Sequence, residues 1–142
     1  MLYYPHTNMD FSGVGIGYFF GTFGDLYDRE ELEEYLNDFD PNDPIQLRAL
    51  LDEFFFPNDY GGLTAQHKIV LVNMLHDKLL DPETDFAIVF QEDEAHDWRF
   101  PDEWHIHDAR AIFKHIYRFL LEEWGDELSA AGYDVVPFDQ IV

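Results

Sequence analysis

Apolar residues recur along this chain at two spacings, and each change of period marks a new element. From Phe11 to Gly21 they alternate with Gly13, Gly15 and Gly17 at a period of two, which predicts a strand or hairpin whose glycine side lies close to a neighbour. The period then lengthens. Asp28 followed by Glu31 makes a capping-box pattern that opens a helix of about 11 residues running to Phe39. Leu32, Tyr35, Leu36 and Phe39 form one face of it, and Glu30, Glu33, Glu34 and Asp38 form the other. Asp40, Pro41 and Asn42 break that helix, Asp43 caps a second, and Pro44 takes the favoured first helical position ahead of an apolar stripe of Leu47, Leu50, Leu51 and Phe54.

After a loop from Pro57 to Gly62, Thr64 caps a third helix that runs to about Leu80, with Ile69, Val72, Leu75 and Leu79 inward and Asp81 and Pro82 ending it. Phe86 to Phe90 is a short β-rich run between Asp85 and Glu92 and reads as the central strand. A last helix over about residues 103–124 aligns Ala109, Ile112, Phe113, Ile116, Leu120 and Trp124 and stops at Gly125. The tail from Tyr133 to Phe138 reads as an edge strand, because Pro137 argues against a central one. The expected fold is α+β, about four helices packed with a small, mainly antiparallel sheet, in a single domain spanning residues 1–142.

Composition changes this picture in two ways. There is no cysteine, which excludes disulfides, thiolate metal sites and cysteine nucleophiles and favours a cytosolic protein. The start, from Met1 to Phe11, has neither the basic nor the apolar region of a secretory leader, and no apolar run approaches the roughly 18 residues of a membrane span. The second change is charge: 30 Asp and Glu face eight Lys and Arg, for a formal net charge of -22. Small domains carry a magnitude of about 2 to 8. Disorder would follow if hydrophobicity were low, but 46% of residues are apolar and 18% aromatic, enough for a core with the carboxylates outside.

Most motifs that suggest chemistry fail on inspection. Gly13, Gly15 and Gly17 do not make a dinucleotide fingerprint, since Tyr18 or Phe20 stands where the third glycine belongs and no basic residue is near. Asp38, Asp40 and Asn42 reproduce the first half of a calcium loop, but Asp43 and Ala49 occupy the positions of its glycine and bidentate glutamate. His105, His107 and Asp108, with His96 and His115 nearby, are the one constellation that could hold a transition metal; they lack the remaining ligands, and helix-start histidines beside carboxylates are the plainer reading. Ser12, Ser129 and the threonines stand in no nucleophile elbow. Asp52 and Glu53, beside Phe54, Phe55 and Phe56, are the best placed for a general acid with a raised pKa, with surface solvation as the simpler role. No catalytic residue, cofactor or metal is assigned.

The acidic surface is therefore the expected working part. Asp25, Asp28, Glu30, Glu33, Glu34, Asp38, Asp40 and Asp43, joined with Glu92, Asp93, Glu94, Asp97, Asp102 and Glu103, form the candidate partner-binding set. Proteins that hold nucleic acid present Lys and Arg arrays, and a folded body of carboxylates can compete for them. Tyr27, Tyr60 and Trp98 would add apolar hot spots. The excess acid reads as spread over the whole chain, with solubilising or halophilic charge as the rival explanation. Arg110, Lys114 and Arg118 make a cationic stripe on the last helix, continued by Glu122, which is expected to pair with acids of a neighbouring helix.

In size and charge alone the chain resembles the acidic DNA-mimic inhibitors that phages and mobile elements use against restriction or CRISPR enzymes. That resemblance implies a non-enzymatic cytoplasmic inhibitor that occupies the basic site of a nucleic-acid-binding enzyme or complex, without binding nucleic acid or membrane itself. An immunity protein against a basic nuclease toxin is the alternative, followed by a small metal-dependent enzyme using His105, His107 and Asp108.

Overall fold

The computed structural model describes the chain apart from residues 1, 6, 22–25, 27, 28, 58–62, 97, 141 and 142. Among the described residues there are four α-helices and no β-strand: α1 (Glu30–Leu36), α2 (Pro44–Phe54), α3 (Ala65–Leu80) and α4 (Ala109–Ala130), with short 3-10 turns before α1, between α3 and α4, and after α4. The fold is all-helical, and the expected sheet does not form. Two isolated antiparallel bridges, Tyr3 with Asp10 and Asp93 with Trp98, are the β-type pairing present.

None of the expected strands forms among the described residues. Phe86–Phe90 is a 3-10 turn capped by Asp85, whose carboxylate accepts the Ala87 N–H. Phe86 and Val89 are buried while Ile88 is 59% exposed. Burial at i and i+3 is the period of a 3-10 turn, where a strand would have buried Phe86, Ile88 and Phe90. Ile16–Phe20 is also a 3-10 turn. A side chain at Gly13 or Gly15 would meet nothing within 4 Å, so the close approach expected there is absent; at Gly17 it would reach only ordinary contact with the Trp98 ring. The tail carries a 3-10 turn at Phe138–Gln140.

Helix placement follows the local signals where these are unambiguous. Asp43 accepts the Ile45 N–H and Pro44 opens α2, with Leu47, Leu50 and Leu51 buried. Thr64 caps α3, with Ile69, Val72, Leu75 and Leu79 buried as expected. α1 is shorter than expected and begins after Arg29, which makes no side-chain cap, while Asp28 lies outside the described residues. α4 is displaced towards the C-terminus. Asp108 accepts the Ala111 N–H, which starts it, and it runs through Gly125 with Leu128 extending the buried stripe. It stops at Gly132, whose φ of 89° suits glycine, with Gly132 N–H donating to Ser129 O and Tyr133 N–H to Leu128 O in a Schellman closure.

The chain packs as two compact units, each assembled from separated stretches. One comprises Met1–Ile16, Asp59–Thr84 and Phe113–Val142. In it the N-terminal loop is pinned to α3 by His67: Thr64 N–H donates to Nδ1, which leaves the ring proton on Nε2 to be donated to the Tyr3 carbonyl at 2.6 Å. The buried Tyr117 hydroxyl donates to Val136 O at 2.6 Å and holds the tail. Lys68 pairs with Glu127 and lies over the Trp124 ring.

The other unit comprises Gly17–Asn58 and Asp85–Ile112 and is built on aromatics. Phe20 meets Phe90 and Phe100 edge-on, Phe100 stacks on Trp104, and Trp98 meets Phe100 edge-on.

Candidate functional site

The eleven described acids of the candidate set all belong to the second unit. The excess is not spread evenly: this half of the chain carries 19 acidic against four basic residues, and the other half carries 11 against four. The excess expected over the whole chain is thus present in both units and heavier in the second.

Three ties bring the two acidic stretches together. Arg99 forms a two-pronged ion pair with Glu33, Nη1 to Oε1 and Nη2 to Oε2, both at 2.8 Å, and reaches Asp102 at 3.5 Å. The Arg99 hydrogen bond holds the Glu33 carboxyl below its usual range, and Glu33, Asp102 and Glu92 in turn hold the guanidinium more firmly protonated. The second tie is Asn42, whose amide donates to His105 O at 2.6 Å and to Asp40 and accepts the His107 N–H at 3.0 Å. The third is buried: Trp104 Nε1–H donates at 2.9 Å to Leu36 O, the carbonyl at the end of α1 that also accepts the Phe39 N–H.

These ties leave most of the carboxylates outside. Glu30, Glu34, Asp38, Asp40, Glu92, Asp93, Glu94, Asp102 and Glu103 are exposed. Glu33 and Asp43 are half-buried, one held in the Arg99 pair and the other capping α2. Asp25, Asp28 and Asp97 lie outside the described residues, as do Tyr27 and Tyr60. Trp98 is half-buried, and its indole N–H is donated to Val89 O. Among the described residues the exposed large apolar groups of this unit are instead Tyr35, Ile45 and Ile88, at 44%, 81% and 59% exposure. Ile45 was legible, since it lies off the Leu47, Leu50, Leu51 stripe; Ile88 was hidden by the strand reading.

Two concavities open beside the ties. One of about 220 Å³ is lined by Asp38, Asp40, Glu103, His105 and His107. The other, of about 190 Å³, has Phe90, Phe100, Trp104 and Ile106 as its apolar wall and Glu92 and Asp102 among its polar lining.

The alternative chemistries find less support. His105, His107 and Asp108 are all exposed, Asp108 is engaged at the start of α4, and among the described residues no three His, Asp or Glu side chains converge as metal ligands. Asp52 pairs with Arg48 and Glu53 accepts the Tyr35 hydroxyl at 2.6 Å, both as exposed groups and not in an apolar pocket. In the cationic stripe, Arg110 lies over the Phe86 ring, and Arg118 lies over Phe119 and Phe138 with Glu122 of its own helix at 3.9 Å. No helix is long and apolar enough to cross a membrane among the described residues. No family model, curated protein or solved structure matches the chain.

Proposed function

We propose that this protein is a non-enzymatic cytoplasmic inhibitor that places its acidic unit on the basic nucleic-acid-binding surface of a partner protein, in the manner of a DNA mimic. The observation that carries this reading is the concentration of acid in one unit, where Arg99, Asn42 and Trp104 tie two distant acidic stretches together and leave nine carboxylates in solvent. Like charges on a compact body repel, and a cationic partner relieves that repulsion. Counterions on both surfaces are released on contact, which makes association fast and salt-dependent.

A second reading, an immunity protein for a basic nuclease, draws on Tyr35, Ile45 and Ile88, exposed apolar groups suited to the centre of a tight interface. Capture on immobilised protein from a lysate of the source cells separates the two. A DNA mimic retains nucleic-acid-binding proteins that elute steeply with salt, are displaced by nonspecific DNA, and lose DNA binding when the inhibitor is added back. An immunity protein retains one nuclease through moderate salt and DNA challenge. If nothing basic is held at low ionic strength, both readings fall.

A further inference from the structure

Resting on that reading, we propose that Tyr35 is an arginine-binding anchor of the acidic surface: an arginine of the basic partner lies against its ring and pairs with the carboxylates around it. The chain itself supplies the pattern. Arg48 lies over the Phe56 ring at 5.3 Å and pairs with Asp52 at 2.9 Å, and Arg118 lies over Phe119 at 5.1 Å with Glu122 at 3.9 Å. In both places one guanidinium covers a ring and meets a carboxylate, because it has a flat face for the first and an edge of N–H donors for the second.

Tyr35 repeats the ring and the carboxylates of that pattern and lacks the cation. Its side chain is 44% exposed yet held in place: the hydroxyl donates to Glu53 Oε2 at 2.6 Å, and the ring meets Phe39 and Phe54 edge-on. That hydrogen bond, with partial desolvation and the charges of Glu53 and Asp38, raises the hydroxyl above the ordinary tyrosine range, so it stays a neutral donor. Glu31 stands one turn before Tyr35 on α1. Glu31, Asp38 and Glu53 are all exposed, and among the described residues neither they nor the Tyr35 ring meet a cation. A ring already fixed among unpaired acids receives a guanidinium without reorganisation. An ammonium takes a carboxylate but has no flat face for the ring, which favours arginine over lysine.

The test is an NMR titration of the intact protein with a short oligoarginine peptide and with its oligolysine counterpart. Nuclear Overhauser contacts from arginine side chains to the Tyr35 ring, with saturable shifts at Glu31, Asp38 and Glu53, support the anchor. Tyr35→Leu, which keeps apolar bulk without the ring, should weaken oligoarginine by about twofold to fivefold, the effect of one exposed cation–ring contact, and oligolysine by less. Should that variant fail to fold, the contacts in the unaltered protein still decide. A peptide that binds without touching the Tyr35 ring, or does not bind, overturns the proposal. Equal losses for the two peptides overturn it as well, in favour of attraction by charge alone. An untouched ring with DNA-displaceable capture intact removes the anchor alone, whereas failed capture removes the inhibitor reading and leaves the ring contacts to be judged separately.

Discussion

Arg99 is the side chain whose removal tests the frame without touching the exposed carboxylates. Arg99→Ala should cost about 1 to 2 kcal/mol, measured by urea unfolding, since two charge-assisted hydrogen bonds are lost from a pair still partly screened by solvent. An unchanged midpoint would show that the pair ties nothing down. The pair also predicts a pH window. Glu33 titrates in the folded protein below its ordinary 4.5, so its contribution is complete above that pH and disappears as pH falls from about 4.5 through the lowered folded value. Arg99→Ala should flatten the stability profile in that range and return Glu33 to the ordinary glutamate range by NMR titration. Tyr117 acts at the other end of the scale. Burial pushes its hydroxyl up to about 12, so the folded state resists ionisation that the unfolded chain undergoes near 10. Stability is complete below about pH 10 and falls as pH rises towards 12, and Tyr117→Phe should remove that alkaline loss when unfolding is followed against pH.

At the scale of elements, the glycine inside α4 and the one just after it make opposite predictions. Gly125 stands inside the helix with nothing within 4 Å of an added Cβ, so Gly125→Ala should stabilise by about 0.5 to 1 kcal/mol through the lower entropy of the unfolded chain. Gly132 closes the helix at a φ of 89°, and Gly132→Ala should destabilise by about 1 to 2 kcal/mol. Thermal unfolding of the two variants decides where the helix ends, and a loss at Gly125 would return the terminus to that residue. Competing signals explain the misplacement. Gly125 follows Trp124, the last residue of the expected stripe, yet Leu128 continues the same face one turn later and is fully buried. Burial of that leucine outweighs the cost of roughly 1 kcal/mol for an interior glycine.

For the whole molecule, charge is the controlling quantity. Self-repulsion at a net charge of -22 should be relieved by screening, so the thermal midpoint should rise between about 20 mM and 500 mM salt. A midpoint insensitive to salt would sink the claim that repulsion is significant, and a chain that folds only near the upper limit would point to the halophilic explanation. Replacing the exposed Glu30, Glu34 and Asp38 by lysine should raise the midpoint at low salt while weakening partner capture at least tenfold. Stability and binding moving in opposite directions is the signature of carboxylates kept for association; capture that survives the reversal would place the interface elsewhere.

The amino-acid sequence by itself determined the charge, the lack of thiol chemistry and the helices whose signals are local. Asp43 with Pro44, and Thr64 before the Ile69, Val72, Leu75 stripe, act within a few residues of themselves, and caps of that kind operate through side chains next to the backbone they satisfy. Tertiary structure decided everything that required a partner distant in sequence. Phe86 to Phe90 has the composition of a strand, but among the described residues no partner strand offers it a ladder, and Asp85 with burial at i and i+3 settles it as a 3-10 turn. The acidic stretches were legible as residues; their union was not. It depends on Arg99 finding Glu33, Asn42 finding His105 and His107, and Trp104 finding Leu36, pairings some 65 residues apart. Local sequence carries no trace of such contacts, because their free energy is gained only after the chain has closed the loops between them.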